Sequence, residues 1–324
     1  MRRRLYALML AAVMALTLSA CSSAPGITED GKLKIVTTIW PEYEWVNAVL
    51  GDNPANAQVT LLVDSGVDPH SFQPAVSDIM ELYTCDLLFY VGGASETWVD
   101  KTLQGEVDSA LVTMGLLETL GDSLCTEETV EGMEHDHDHD HDHDHEGHDH
   151  DTEEYDEHVW LSLKKAKTLV AAMAEKIAQV DPMNADTYYK NAASYIEKLD
   201  ALDAEYAAAV EASPHKTLLF ADRFPFRYMT EDYGLTYYAA FPGCSAETEA
   251  SFATILFLAE KLTDLPAAII IDGGDGSIAR TVVENTAGEK AVLTMDSMQS
   301  AREAGESYLS VMEENLEVLK QALH

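Results

Sequence analysis

Histidines and carboxylates at three places in this chain have the types and spacing of metal ligands. The first place is a repeat of histidine and acid at positions 135–150, HDHDHDHDHDHEGHDH. The other two are single histidines, His70 in VDPHSFQP and His158 in DEHVWLS. Imidazole and carboxylate together bind first-row divalent metals, and nitrogen ligands favour Zn²⁺. The repeat alone is compatible with an expression tag, a solvated spacer or a metal collector, and its position inside the chain argues against a tag.

Two aspartates lie where a binding cleft is expected. Asp222 ends the predicted strand TLLFAD, and Asp296 ends the predicted strand AVLTMD. Ligands of open α/β sheets bind beyond the carboxyl ends of the strands, and His70 also follows such a strand. The two imidazoles and these carboxylates therefore predict one metal site in the cleft. Each residue also has a structural interpretation, as a hydrogen-bonded histidine or as a helix cap.

Strands and helices alternate along the chain from residue 32 onwards. The predicted strands are residues 34–39, 58–63, 86–93, 110–116, 217–222, 236–241, 267–272 and 291–296. Helical stretches separate them, which is the pattern of βαβ units and of a largely parallel sheet. We therefore predict an α/β fold with two Rossmann-like lobes, each built on a parallel four-stranded sheet.

A long helix is predicted between the lobes, over residues 181–213. Asp181 is expected to cap it, and Pro182 fits its first position. Apolar residues recur at spacings of three and four, namely Tyr188, Ala192, Tyr195, Leu199, Leu202, Tyr206 and Val210. About 30 residues give a helix roughly 45 Å long. This helix divides the chain into an N-terminal lobe at 32–180 and a C-terminal lobe at 214–324, with a rigid connection between them.

The N-terminus has the pattern of an export signal rather than of folded structure. Three arginines precede an apolar run at 5–18 that is too short to span a bilayer as a mature helix. The residues LSAC at 18–21 resemble a bacterial lipobox, which implies cleavage after residue 20 and acylation of Cys21. Residues 21–31 are expected to form a flexible tether. The sequence thus predicts an extracytoplasmic protein, lipid-anchored to the outer face of the bacterial cell membrane.

The formal net charge is −37, with 57 acidic residues against 20 basic ones. This charge repels phosphate and argues against nucleic acid as a partner. The stretch 126–157 contains few apolar residues, which predicts a disordered loop. Cys85, Cys125 and Cys244 cannot all pair with one another. A Cys85–Cys125 disulfide is possible in an exported protein, whereas the alternative makes Cys85 a buried strand residue.

Five segments, in order along the chain, carry a resemblance to a known family. They are TTIWPEYEWV, DPHSFQPAVSD, EHVWLS, DPMNADTYYKNAASYIEKLDALDAEY and VLTMDSM. Together they resemble the ZnuA-like zinc/manganese-binding lipoproteins, the cluster A-I solute-binding components of metal ABC importers, over residues 32–322. The resemblance implies two α/β lobes, a rigid linking helix and one metal buried between the lobes. It also implies delivery of that metal to a membrane permease, and zinc members typically have a His-rich acidic loop before the second ligand.

The family's ligands match this sequence unevenly. His70 and His158 match the first two ligands, and Asp296 matches the terminal carboxylate, although the usual Asp-Pro-Leu-Gly is Asp-Ser-Met-Gln here. At the third position stands Arg223, whose guanidinium cannot ligate a metal and is expected instead to pair with a carboxylate and position it. The replacements left open are Asp222, Glu247, water and, as a soft donor, Cys244.

The leading functional hypothesis is a monomeric binding protein that captures Zn²⁺ in the cleft and passes it to an ABC permease. The loop is expected to collect or sense zinc. Its histidines are His135, His137, His139, His141, His143, His145, His148 and His150. The alternatives are a manganese-binding importer component and a surface zinc buffer or adhesin without a transport role. An enzyme is not expected, because the loop segment beginning at His145 has Asp149 where the H-E-x-x-H motif needs its second histidine.

Overall fold

Two parallel four-stranded sheets organise the protein. The computed structural model describes residues 32–63, 67–105, 107–133, 154–245, 249–299 and 305–324. The first sheet contains β1 (Lys34–Thr37), β2 (Gln58–Leu61), β3 (Leu87–Tyr90) and β4 (Val112–Gly115) in the order β2-β1-β3-β4. The second contains β5 (Thr217–Phe224), β6 (Thr236–Pro242), β7 (Ala267–Ile271) and β8 (Ala291–Met295) in the order β6-β5-β7-β8. Every pairing between these eight strands is parallel, which confirms the α/β class and the eight predicted strands, although the bounds of the strands differ from the predicted ones by one to three residues.

Helices cover these sheets and connect the strands. They are α1 (Trp40–Leu50), α2 (Val76–Thr84), α3 (Thr97–Leu103), α4 (Leu116–Leu120), α5 (Leu163–Val180), α6 (Ala185–Ala212), α7 (Arg227–Tyr233), α8 (Phe252–Leu262), α9 (Ser277–Glu284) and α10 (Tyr308–Leu323). Short 3₁₀ turns at Pro69–Ser71 and Val159–Leu161 carry or follow the two predicted histidine ligands. The crossover helices explain why the strands pair in parallel and why their sequences are continuous apolar runs.

The long predicted helix is α6, and its start differs from the prediction. Asp181 and Pro182 do not begin it, because a 3₁₀ turn at Pro182–Asn184 precedes Ala185. The Asp181 carboxylate accepts hydrogen bonds from the Tyr188 hydroxyl at 2.6 Å and from the Asn184 side chain at 2.7 Å. A carboxylate held by these two side chains does not cap the helix.

The buried face of α6 matches its predicted apolar face. Tyr188, Leu199 and Tyr206 are fully buried, and the Tyr206 hydroxyl donates to the carbonyl of Met312 in α10 at 2.6 Å. The helix packs along α5 and also contacts α1 in the first lobe and α10 in the second. Its 28 residues correspond to roughly 42 Å of length. The helix is therefore fixed to both lobes by burial.

A single large hydrophobic cluster runs through both lobes. It joins residues of the first sheet, such as Ile35, to residues of the second, such as Phe220, and it includes the buried pair Trp45 and Tyr308. The rings of that pair meet edge to face at a centroid distance of 5.1 Å. Burial of these aromatic side chains contributes favourably to packing between the lobes.

Trp160 forms a second connection between the lobes. Its indole N–H donates to the carbonyl of Ser297 at 2.9 Å, and its own carbonyl accepts from the Tyr308 hydroxyl at 2.6 Å. Both bonds are buried. The segment that begins at His158 is thereby tied to the segment that follows β8.

The structure also bears on the cysteines and on membrane-spanning helices. In the described residues Cys85, Cys125 and Cys244 are free thiols, so the possible Cys85–Cys125 disulfide is absent. Cys85 is buried, but it follows α2 and precedes β3 rather than lying within a strand. Among the helices that the structure describes, none combines the length and apolar character needed to cross a membrane.

Candidate metal-binding site

His70 lies in the 3₁₀ turn Pro69–Ser71 that follows β2. The Asp68 side chain begins this turn, and its Oδ1 accepts from the backbone N–H of His70 at 3.0 Å. The imidazole Nδ1 lies 2.7 Å from the Ser95 hydroxyl and 3.8 Å from the carboxylate of Glu157. Burial, followed by the neighbouring His158, lowers the pKa of His70 to about 4, so its imidazole is neutral at physiological pH.

His158 is fully buried and held by a carboxylate two residues earlier. Asp156 Oδ1 accepts from the backbone N–H of His158 at 2.8 Å and lies 3.0 Å from its Nδ1. This contact places the ring hydrogen on Nδ1 and leaves the lone pair on Nε2 for a metal, as in most carboxylate–histidine–metal arrangements. The Tyr228 hydroxyl donates to the Asp156 carbonyl at 2.7 Å and so fixes this segment against α7.

The two histidines meet through the nitrogen atoms that can bind a metal. His70 Nε2 and His158 Nε2 are 3.1 Å apart, and the ring centroids are separated by 5.1 Å. Two nitrogens bound to one tetrahedral Zn²⁺ with ordinary bond lengths lie about 3.3 Å apart. The backbone and hydrogen bonds thus hold both imidazoles close to the spacing that a single metal ion needs.

Gln299 completes one side of this cluster, and it was not among the residues predicted from the sequence. Its amide Nε2 lies 3.0 Å from His70 Nε2 and 3.2 Å from His158 Nε2. The side chain is buried, and its Oε1 has no hydrogen-bond partner within the described part of the chain. Glutamine is a weak signal in a sequence because it usually lies on the surface.

Cys244 supplies the third potential ligand atom. Within the described ranges, one group of three histidine, cysteine or acidic side chains has ligand atoms that all lie within 4.8 Å of one another, and it consists of His70, His158 and Cys244. The backbone N–H of Cys244 donates to Glu127 Oε1 at 3.1 Å. Burial raises the pKa of the Cys244 thiol, and the carboxylate of Glu127 raises it further.

Gly243 allows Cys244 to approach His158. A Cβ atom at position 243 would lie 2.8 Å from the carbonyl oxygen of Phe224 and 3.0 Å from Cε1 of His158. Real Cβ atoms do not tolerate the first distance, so only glycine fits without movement of the β6 end. A cavity of about 320 Å³ opens beside this point and is lined by His70, Ala94, Ser95, Glu127, Glu154, Pro242, Cys244 and Ser245.

The predicted carboxylate ligands lie outside this cluster. Asp296 Oδ1 accepts from the backbone N–H of Met298 at 2.7 Å, and the backbone N–H of Asp296 donates to the side chain of Asn315. Asp222 accepts from the backbone N–H groups of Arg223 and Ile271 and lines an adjacent cavity of about 590 Å³. Metal ligation by Asp296 or Asp222 therefore stays a prediction without support from these contacts.

Arg223 forms the ion pair expected of it. Its Nη1 donates to Asp68 Oδ2 at 2.8 Å and lies 3.4 Å from the carbonyl of Ser245. Because Asp68 also begins the His70 turn, Arg223 acts on the position of His70 from the opposite lobe. Glu247, Cys21 and the eight loop histidines at 135–150 lie outside the described residues.

Comparison with known proteins gives a consistent assignment. The model of the family "Zinc-uptake complex component A periplasmic", ZnuA, matches residues 35–322. The zinc-binding lipoprotein AdcA of Streptococcus pneumoniae is 36% identical over 320 residues, which cover 97% of this chain and 60% of that protein. The high-affinity zinc uptake system protein ZnuA of Bacillus subtilis is 30% identical over 95% of this chain and 94% of its own length.

A solved structure supports the same relationship. The Zn(II)-bound ZnuA-like domain of Streptococcus pneumoniae AdcA superposes with a TM-score of 0.69 at 31% identity, over 90% of this chain and 99% of that domain. This chain spans about 60% of the length of the streptococcal relatives that it matches. The match over residues 35–322, together with these identities, shows that the chain belongs to the ZnuA family of zinc-uptake component A proteins.

Proposed function

We propose that this protein captures Zn²⁺ between its two lobes and delivers it to an ABC permease. One observation carries the proposal: His70 Nε2 and His158 Nε2 lie 3.1 Å apart where the lobes meet, with the His158 side chain fully buried and the His70 side chain 11% exposed. The names of the relatives point the same way, since AdcA and ZnuA are called zinc-binding and zinc-uptake proteins. Buried imidazole pairs of this kind favour a late first-row metal over Mn²⁺.

The location and partner follow from the same family membership. The family description is periplasmic, and AdcA of Streptococcus pneumoniae is called a lipoprotein. The protein is proposed to act outside the cytoplasm, attached by lipid at Cys21, as a monomeric non-enzymatic component that docks on a membrane permease. Its lobes are joined by buried hydrogen bonds and by α6, so release of the metal is expected to involve local movement of the site loops more than wide opening.

A titration with metal ions tests directly which metal the protein binds. The full-length protein, stripped of metal, is titrated with Zn²⁺ and Mn²⁺ in competition with chelators of known affinity. One tight Zn²⁺ equivalent is expected, and it should be lost in His70→Ala but kept in His215→Ala, which removes a histidine from outside the site. Tighter binding of Mn²⁺ would reassign the cargo, and the absence of any tight equivalent would refute the proposed function.

The His-rich loop is proposed to raise the local zinc concentration near His158. Alternating imidazoles and carboxylates provide many weak, exchanging sites. On either side of this segment, Thr126 and Tyr155 form an antiparallel bridge. Deletion of residues 134–153 should leave the tight equivalent in place and impair growth only when zinc is scarce. Unimpaired growth under severe zinc limitation would exclude the collector role.

A further inference from the structure

We infer that Cys244 and Gln299 complete the metal site, so that Zn²⁺ is bound by two imidazole nitrogens, one thiolate sulfur and one amide oxygen. The inference rests on the proposed function, because it specifies the ligands of the same site. In place of Asp296 and of the third position that Arg223 leaves open, it puts two side chains from the loops after β6 and β8.

The position of the Cys244 sulfur carries the first part of the inference. Its ligand atom lies within 4.8 Å of those of His70 and His158, and no other described cysteine belongs to the cluster. Nitrogen and sulfur bound to one tetrahedral Zn²⁺ lie about 3.6 Å apart, so closure needs about 1 Å of movement. That movement is within reach of a side chain at the end of β6 that borders a cavity.

The orientation of Gln299 carries the second part. Its Nε2 donates to the lone pairs of both imidazoles, whereas its Oε1 is buried without a hydrogen-bond partner in the described residues. Buried acceptors are normally paired, so an unpaired one needs an explanation. A half-turn of the amide exchanges the two ends and directs Oε1 at a metal ion between the imidazoles, where oxygen is a ligand and nitrogen is not.

Asp296 and Asp222, the described carboxylates predicted as ligands, do not belong to the three-residue group that includes both imidazoles. Asp296 accepts from the backbone of Met298, and Asp222 accepts from two backbone N–H groups. Arg223, at the third family position, is bound to Asp68. The donors that face the imidazoles are therefore Cys244 and Gln299.

A thiolate changes the selectivity of the site. Sulfur is a soft ligand that favours Zn²⁺ and related metals over Mn²⁺, which prefers oxygen. Binding must release the thiol proton to solvent, because the metal ligand is the thiolate. The site should therefore reject manganese more strongly than one made of imidazoles and carboxylates.

Cobalt substitution tests the sulfur ligand in the full chain. Co²⁺ bound by a thiolate gives a near-ultraviolet charge-transfer band, and the His-rich loop has no sulfur that could produce one. The wild-type protein is expected to show this band at one equivalent of Co²⁺. Cys244→Ser should abolish the band and weaken Zn²⁺ binding by at least about 100-fold, beyond what loss of a supporting residue usually costs. Cys125→Ser is the matched control, and it should keep both the charge-transfer band and the Zn²⁺ affinity.

A chemical measurement on the wild-type protein guards against a variant that fails to fold. Zn²⁺ at one equivalent should protect Cys244 from alkylation, as read by peptide mass spectrometry, while Cys125 reacts equally with and without the metal. Gln299→Leu, which keeps the side-chain size, should weaken Zn²⁺ binding without loss of the cobalt–sulfur band. Equal zinc affinity in Gln299→Leu and wild type would overturn the role of the amide.

The outcomes separate this inference from the proposed function. If one tight Zn²⁺ equivalent depends on His70 but Cys244→Ser keeps the band and the affinity, the sulfur ligand is refuted and the proposed function stands. Alkylation of Cys244 that is unaffected by zinc would refute it in the same way. If no tight equivalent exists in the wild-type protein, both fall together.

Discussion

Arg223 reaches from the second lobe to bind Asp68 in the first, with Nη1 and Oδ2 2.8 Å apart across 155 positions of sequence. Burial alone would raise the pKa of Asp68, but the hydrogen bond and charge of Arg223 outweigh it, and the pKa is lowered. The ionised Asp68 carboxylate in turn accepts from the backbone of His70. Arg223, which cannot ligate a metal, thus supports the turn that carries the proposed ligand His70.

Arg223→Ala should weaken Zn²⁺ binding by about 10- to 100-fold, the range for residues that support a metal ligand. The reason is that the Asp68 turn loses its partner in the opposite lobe, while His70 and His158 remain. Chelator competition measures the effect. Arg227→Ala is the control, since Arg227 has the same side-chain exposure and pairs with Glu128 and Glu231 away from the cluster. Equal affinities in the two variants would contradict the role of Arg223.

Asp156→Asn should also weaken Zn²⁺ binding by about 10- to 100-fold. Asparagine keeps an acceptor oxygen for the backbone of His158 but removes the charge beside Nδ1, which makes the imidazole a poorer ligand. Asp181→Asn is the matched control, because Asp181 likewise accepts two hydrogen bonds but lies at the start of α6. Isothermal calorimetry compares the two, and an unchanged affinity in Asp156→Asn would rule out this support.

Gly243→Ala should weaken Zn²⁺ binding while the fold persists. The added methyl group would meet the Phe224 carbonyl and the His158 ring, so the end of β6 must move away from the site. Gly105→Ala tests the steric change alone, because its methyl group would meet Tyr83 and the Thr102 carbonyl outside the cluster. Circular dichroism checks folding in both variants. The prediction fails if Gly243→Ala binds zinc as tightly as Gly105→Ala.

Glu96 should make the protein less stable as the pH rises from about 4.5 to about 7. Burial, to which the charge of Glu157 adds, raises the pKa of Glu96 to about 7, against 4.5 for an exposed glutamate. The neighbouring Glu42, also buried, has a raised pKa too, through burial and then the charge of Glu96. In this window the folded state binds more protons than the unfolded state, so the free energy of unfolding falls with rising pH, by about 3 kcal/mol at most for Glu96.

Glu96→Gln measures this contribution. The variant should match the wild-type protein in stability near pH 4.5 and exceed it near pH 8, because the amide cannot ionise and can still accept from the backbone of Gly92. Urea unfolding at several pH values gives the comparison. Glu197→Gln, on the exposed face of α6, is the control. A stability difference that does not vary with pH would exclude titration of Glu96.

The fold was predictable because each sheet repeats the same unit. Continuous apolar strands such as Ala267–Ile271 alternate with amphipathic helices, and this pattern determines a parallel sheet without knowledge of distant contacts. The start of α6 was harder to predict, because the hydrogen bonds that draw Asp181 away from a capping role come from Asn184 and Tyr188, one and two turns later. Which groups Asp181 binds depends on side-chain geometry, and this geometry cannot be read from the spacing of apolar residues.

The site was predictable only in part. His70 follows from its residue type and from a loop at the end of a strand, whereas His158 follows from its residue type and its position just past the acidic stretch, and the structure brings the two together. Gln299 could not be selected in the same way, and Cys244 was only one of several replacements left open, because a glutamine and a lone cysteine have many ordinary places in a fold. Their proximity to the imidazoles depends on how the chain leaves β6 and β8, which is a property of three-dimensional packing.

The fluorescence of Trp160 should report whether the metal site is occupied. Its ring centroid lies 5.2 Å from that of His158, and its indole N–H is held by Ser297 in the segment that leads to Gln299. Any ion bound by His158 places a positive charge within a few ångströms of this indole and shifts the two segments that hold it. Emission from this tryptophan should therefore change with occupancy, so the arrival and departure of the cargo can be followed in time without a label.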